Sequence, residues 1–138
     1  MEGKIVLLDT SILIDYFRKK DKSKTFLFSL TNSFEFFGVS AITEFEIFVG
    51  SNELQNDFWE NFFKEIIVYP FDSECSRISS LLDRTSKKNS KQMEIPDLFI
   101  AATAIRNNLQ LATLNIKHFD KIGQINLVTL PKYITIRS

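Results

Sequence analysis

The chain carries one cysteine, Cys75, and one histidine, His118, in 138 residues. A single thiol excludes an internal disulfide, and one thiol with one imidazole excludes a structural zinc site of the Cys/His kind. Any metal bound by these side chains is therefore held by oxygen. A charge of one sign is also lacking: seventeen basic residues balance seventeen acidic ones. No overall field draws in a polyanion, and only local basic clusters remain to do so. Apolar runs fall far short of the ~20 residues that span a bilayer. At the N-terminus there is no basic segment followed by an apolar core and a small-residue cleavage site. The expectation is a soluble, cytoplasmic protein, one domain over residues 1–138, large enough to bury roughly two thirds of its unfolded surface. Phe is the residue in excess, fourteen in all, which reads as core and as a self-association surface, because aromatic residues are enriched at interfaces.

The most informative stretch is IVLLDTSILIDYF, residues 5–17. Ile5 to Leu8 is a short, branched, unbroken apolar run, as in a strand buried on both faces of a parallel sheet. Asp9 is the first charge after it. Thr10 and Ser11 are helix-start residues, and Ile12, Leu13, Tyr16 and Phe17 recur at helical spacing, with Asp15 on another, exposed side. Asp9 thus stands where a strand hands over to a helix, the edge at which open α/β sheets bind ligands. Its competing reading is a plain cap or turn residue.

Further along, Arg18 to Lys24 is a charged connection and residues 25–32 a short helix. Phe36 to Ser40 reads as a second strand, and SAITEFEIFVG from Ser40 as a helix with Ile42, Phe45 and Phe48 or Val49 on its apolar side and Gly50 at its end. Glu44 and Glu46 in it lie on different sides, since i and i+2 do not share a face. Leu54, Phe58, Trp59, Phe62 and Phe63 form an apolar stripe over 52–65, core or dimer surface. Ile66 to Tyr69 is a third strand, stopped by Pro70, and a helix follows from about Asp72 to Arg84. Thr85 to Gln92 reads as a polar, basic loop. Pro96 and Asp97 open a helix to Asn107, where Asp97 alone could be a charge favourable to the macrodipole. Leu109 to Thr113 is a fourth strand, Ile125 to Leu130 a fifth, and Pro131 onward a tail. Strand and helix alternating with short connections predict an α/β/α sandwich around a mostly parallel sheet of four to five strands.

That topology gathers polar residues at one sheet edge: Asp9 after the first strand, Glu46 on the helix after the second, Asp97 at a late helix start and Asn115 after the fourth strand. Three acids and an amide on one edge repel unless a cation lies among them. Oxygen ligands without His or Cys select Mg²⁺ or Mn²⁺, and such an ion suits phosphoryl transfer, polarising a phosphate and activating water.

On these residues the sequence resembles the PIN-domain ribonucleases of the VapC toxin type. The similarity runs through LLDTSILIDYF, then Thr43, Glu46-Ile47 and Gly50, then PDLFIAATA at 96–104 and ATLNIKHF at 112–119. It implies a PIN-like fold with Asp9, Glu46 and Asp97 as metal-binding acids and catalytic residues. Thr10 or Ser11 and Thr113 would be supporting hydroxyls. Many members carry a fourth acid where this chain has Asn115; the amide, a weaker ligand, would orient a water or complete the shell. His118 has a catalytic reading as general base, because it titrates near neutral pH, and a structural one by resemblance. Glu44 and Glu94 read as rim residues.

The implied function is a Mg²⁺-dependent endoribonuclease of a type II toxin–antitoxin pair, cutting phosphodiesters by in-line attack of an activated water. Its partners would be an RNA, tRNA among the candidates, a VapB-like antitoxin whose C-terminal segment blocks the groove, and a second copy in a homodimer. Phosphates need cations, for which Lys19, Lys20, Lys22 and Lys24, and Lys87, Lys88 and Lys91, are the candidates. The rival readings are a PIN-like scaffold that binds RNA or protein without cutting, an active PIN nuclease outside toxin–antitoxin biology, and an aspartyl-phosphate phosphatase. The last needs a second Asp where this chain has Ser11.

Overall fold

A computed structural model describes residues 4–129. Four strands, β1 (Ile5–Leu8), β2 (Phe36–Ser40), β3 (Ile67–Tyr69) and β4 (Gln110–Ala112), form one sheet in the order β3-β2-β1-β4, with every neighbouring pair parallel. Parallel order places all four carboxyl ends on the same edge. The central strand is β1, and Val6, Leu7 and Leu8 are completely buried, as its unbroken apolar run requires.

Alternation along β1 sends its side chains into two cores. Val6 and Leu8 pack with Ile12 and Leu13 of α1 (Thr10–Arg18), Phe26 and Leu27 of α2 (Phe26–Leu30) and Trp59 and Phe63 of α4 (Glu53–Lys64). Leu7 points the other way, with Leu111, toward Leu82 of α5 (Ser73–Lys88), Leu98 and Ala101 of α6 (Ile95–Arg106) and Phe119 of α7 (Ile116–Phe119). The sandwich is thus helix, sheet, helix. The helix α3 (Ala41–Val49) leaves β2 at the edge that carries the site. Gly38 lets β2 and β3 pack there: a Cβ on it would lie 2.6 Å from Tyr69 Cε2 and 3.2 Å from the Ile67 carbonyl oxygen.

Five expectations need correction. The fifth strand shrinks, within the described residues, to a parallel bridge between Leu111 and Leu127; Leu130 and the expected tail from Pro131 lie outside them. The stretch 85–88 is not loop but the end of α5. Its hydroxyls bond back along the helix, Thr85 to the Leu81 carbonyl and Ser86 to that of Asp83, and Lys87 pairs with Asp83 at 3.0 Å. Polar residues that satisfy themselves this way need no loop. Phe45 does not face the core, and of Phe48 and Val49 it is Phe48 that packs against it; Phe45 and Val49 are 65% and 69% exposed, and the fully turned-in residues of α3 are Thr43 and Ile47. Leu54 of the predicted stripe is 91% exposed as well. Asp15, finally, is not on an exposed side: its carboxylate accepts from the Phe26 N–H at 3.0 Å, the first donor of α2, and pairs with Lys19 at 2.8 Å.

Candidate active site

Asp9 is the last extended residue before α1, and its own N–H donates to the Ala112 carbonyl of β4 at 2.9 Å. It stands at the N-cap position, yet its side chain makes no capping bond. Instead Oδ2 accepts from Thr113 Oγ1 at 2.7 Å and from Ser11 Oγ at 2.8 Å. Both hydroxyls are fixed in turn, because Ser11 Oγ accepts from the Leu114 N–H and Thr113 Oγ1 from the Asn115 N–H, each at 3.0 Å. This network ties the ends of β1 and β4 together and aims a buried carboxylate at the sheet edge. The cap reading of Asp9 therefore fails on geometry.

Glu46 arrives from α3, and its Oε1 accepts from Thr10 Oγ1 at 2.7 Å. Thr10 Oγ1 also lies 2.9 Å from Thr43 Oγ1. Thr10 Oγ1 is the donor toward both oxygens, and its single proton favours the carboxylate as the stronger acceptor. Thr10 thereby couples α1 to α3 through the acid. Glu44 does not share this contact.

Asp97 occupies the first turn of α6, three residues after the N-cap Glu94. Its Oδ2 lies 3.1 Å from His118 Nδ1 on α7. The Asp97 carboxyl is held above the usual carboxylate range, first by burial and then by the negative charge of Asp9, with Glu46 adding to it and His118 opposing. Asp97 thus feels the charges of both other acids. Among the described residues, no group of three or more acid, histidine or cysteine side chains stands close enough together to hold a metal ion on its own. The donor set still fits Mg²⁺, which keeps several waters and is bound directly through only a few carboxylates.

The remaining sequence candidates fall into two groups. Asn115 is exposed at the N-cap of α7, where its carbonyl accepts from the His118 N–H at 2.9 Å and its side chain makes no capping bond. Lys20 and Lys88 are exposed. Lys19 and Lys87 are ion-paired to Asp15 and Asp83. Lys22 caps α1, giving its donors to the carbonyls of Tyr16, Phe17 and Lys19. Sequence reasoning missed Lys117 and Lys121, which with Lys91 line a cavity reaching Asp97 and His118. Their signal was position: both lie within six residues of Asn115.

An α/β/α sandwich with hydroxyl-braced acids at the carboxyl edge of a β3-β2-β1-β4 parallel sheet is the architecture of a PIN domain, and the PIN-domain family model matches residues 6–125. The chain belongs to that family. Within it the chain stands with the VapC type. It is 37% identical over 124 residues to ribonuclease VapC1 of Methanocaldococcus jannaschii, covering 88% of this chain and 84% of the relative. It is 30% identical over 113 residues to ribonuclease VapC19 of Mycobacterium tuberculosis, covering 82% and 90%. Among solved structures, a toxin–antitoxin complex from Klebsiella pneumoniae aligns with a TM-score of 0.72 and 28% identity over 90% of this chain and 96% of that one. The fold also matches DNA-bound VapBC from Salmonella typhimurium, with a TM-score of 0.78, 23% identity and coverage of 91% and 97%.

Proposed function

We propose that this VapC-type chain is a divalent-metal-dependent endoribonuclease, the toxin of a toxin–antitoxin pair, acting in the cytoplasm. The observation that carries the reading is the placement of Asp9, Glu46 and Asp97. Asp9 and Glu46 are oriented by hydroxyl donors, not spent on helix capping, and the charges of both are felt at Asp97. Mg²⁺, or Mn²⁺, would be held by Asp9, Asp97 and Glu46. When bound it would polarise the phosphate and make a water acidic enough to attack at neutral pH. The chain's own part is to present oxygens at fixed angles. Ser11 and Thr113 hold Asp9, Thr10 holds Glu46, and His118 orients Asp97 and partly offsets the upward push on its carboxyl. Asn115, at the edge beside them, would orient the attacking water.

The RNA would be a single-stranded or looped segment, as in a tRNA loop, because only unstacked strands offer both phosphate and base to a shallow edge. A VapB-like antitoxin and a second copy of the chain are the protein partners. The exposed apolar side chains of Phe45 and Val49 on α3 and Leu54 on α4 support such contacts.

The test is the chemistry of the cut ends. Attack by water, with the proton passing to solvent and one bridging oxygen leaving phosphorus, gives a phosphomonoester on one fragment and a hydroxyl on the other. Incubation of total RNA with the purified chain and Mg²⁺ is expected to yield those ends. Fragments ending in 2′,3′-cyclic phosphate would mean attack by the RNA's own 2′-hydroxyl and would overturn the assignment. Absence of any cutting would favour the non-cleaving scaffold, which Asn115 in place of a fourth acid makes the second reading.

A further inference from the structure

Beside the acid site lies a cavity of about 480 Å³, between the end of α5, the segment 89–94, the start of α6, α7 and the turn at 121–124. Its size falls in the range of small-ligand pockets. Asp97 and His118 form the part of its wall shared with the acids. Met93 and Ile122 give it an apolar side, and Gln92 and Gln124 bring amides that can both donate and accept. Three lysines, Lys91, Lys117 and Lys121, also line it and outnumber its two carboxylates, Glu94 and Asp97.

The backbone fixes where Lys91 stands. The helix α5 ends with Ser90 in the left-handed region, φ 57°, the Ser90 N–H bonded to the Lys87 carbonyl at 3.1 Å and the Lys91 N–H to that of Ser86 at 2.7 Å. This double bond pattern is a Schellman ending, formed here without the usual glycine. It turns Lys91 toward Lys121, and direct contact with that neighbouring ammonium, together with its charge, holds the Lys91 ammonium below its ordinary pKa. Two ammonium groups brought together at a cavity mouth make an anion site, provided an anion comes to neutralise them. The neighbouring Asp120 offsets them only in part.

We infer that this cavity receives one nucleotide of the RNA adjoining the scissile phosphate, with Lys91 and Lys121 gripping its phosphate and the Met93–Ile122 wall and the two glutamines taking its base. The inference rests on the nuclease reading above and gives it a specificity pocket. It accounts for a neutral protein binding a polyanion: the positive charge is concentrated where one phosphate sits. The base would be read by shape and amide hydrogen bonds, as single-stranded RNA is read. The cations favour a nucleic acid over a protein segment, because a phosphodiester brings a compulsory charge at each residue.

The experiment compares the wild type with Lys91→Gln and Lys121→Gln, and with Lys64→Gln on α4 as a control for lost charge. A short 2′-deoxy oligonucleotide in EDTA gives affinity without cleavage, followed as a function of salt. Each cavity variant is expected to weaken binding about tenfold and to flatten the slope of log K against log salt by roughly 0.7, the value for one released counterion on a single strand. Lys64→Gln should leave the slope unchanged. Cleavage assays should show the loss in KM and not in kcat. Since both side chains are exposed, thermal midpoints should match the wild type. Unchanged oligonucleotide affinity and slope in both cavity variants would overturn the proposal, whether or not they loosen a protein partner's hold. A wild type that never cuts RNA would instead defeat the nuclease reading, and the binding arm would still decide the cavity.

Discussion

His118 Nδ1 lies 3.1 Å from Asp97 Oδ2, joining α7 to the first turn of α6 at the rim of the acid site. An imidazole in that place donates to the carboxylate and favours its ionised form. His118 is thus a positioning residue for Asp97. Replacing it by Ala is expected to lower apparent Mg²⁺ affinity 10- to 100-fold, the usual cost of losing a partner that orients a ligand. Cleavage measured across a Mg²⁺ titration checks this: saturating Mg²⁺ should restore most of the rate. A rate that stays low at every Mg²⁺ concentration would point to His118 as a proton-transfer group instead.

Asp97 also sets a stability prediction with a definite sign. Burial and the Asp9 charge raise its carboxyl pKa in the folded protein. A group raised on folding adds stability that is fully present below the unfolded carboxylate pKa, about 3.9, and that is lost as pH rises through the folded value. At pH 7 without metal, ionised Asp97 therefore works against the fold. Asp97→Asn is expected to melt at or above the wild-type temperature in EDTA at pH 7, with the gap closing as the pH is lowered through the raised pKa. Added Mg²⁺ should raise the midpoint of the wild type and not of the variant. An Asp97→Asn protein that melts well below wild type in EDTA would show a structural role for this carboxylate.

Thr113 is 1% exposed and serves both the Asp9 carboxylate and the Asn115 N–H. Thr113→Val keeps the shape and removes both bonds. The expected cost is about 1–3 kcal/mol of stability for the buried groups left unsatisfied, with a 10- to 100-fold loss of metal affinity or activity. Urea melts and the Mg²⁺ titration read the two effects separately, and wild-type values in both would contradict the role given to Thr113.

Gly38→Ala tests the packing behind the site. The added methyl would sit 2.6 Å from the Tyr69 ring and 3.2 Å from a backbone oxygen. The ring can swing away; the carbonyl of β3 cannot move without loosening the strand pair. A loss of roughly 1–3 kcal/mol is expected from such overpacking, read by thermal or urea unfolding. A variant as stable as wild type would show that β3 gives way freely.

Asp9 and Asp97 stand out in the sequence because each sits at a junction that local chemistry marks, an apolar run ending in Asp9 and a Pro96-Asp97 helix start, whereas Glu46, inside the helix opened by Ser40, is set apart from Glu44 only by the family resemblance. What local pattern could not show was how these residues are braced. Thr113 reaches Asp9 across 104 positions and Thr10 reaches Glu46 across 36, contacts that only the sheet order creates. Asp15 and Lys22 looked like surface charges for the same reason. They cap α2 and α1, a use decided by where the chain turns after Arg18. Phe45 and Val49 misled in the opposite sense, since helical spacing tells which residues share a face and not whether a partner or the core covers it. The 85–88 stretch reads as loop by composition, and its polar side chains are satisfied inside α5.

The central claim is that Asp9, Glu46 and Asp97 together hold an ion that cuts RNA. Its most direct measurement is cleavage of a total RNA pool by the purified chain in Mg²⁺, in Mn²⁺ and in EDTA, beside Asp97→Asn shown to be folded by its melting curve. Cutting in either metal, none in EDTA, and at least a 100-fold loss in the variant are predicted, a loss of at least ~2.7 kcal/mol in transition-state stabilisation. Cutting that persists in EDTA or in folded Asp97→Asn would contradict the account.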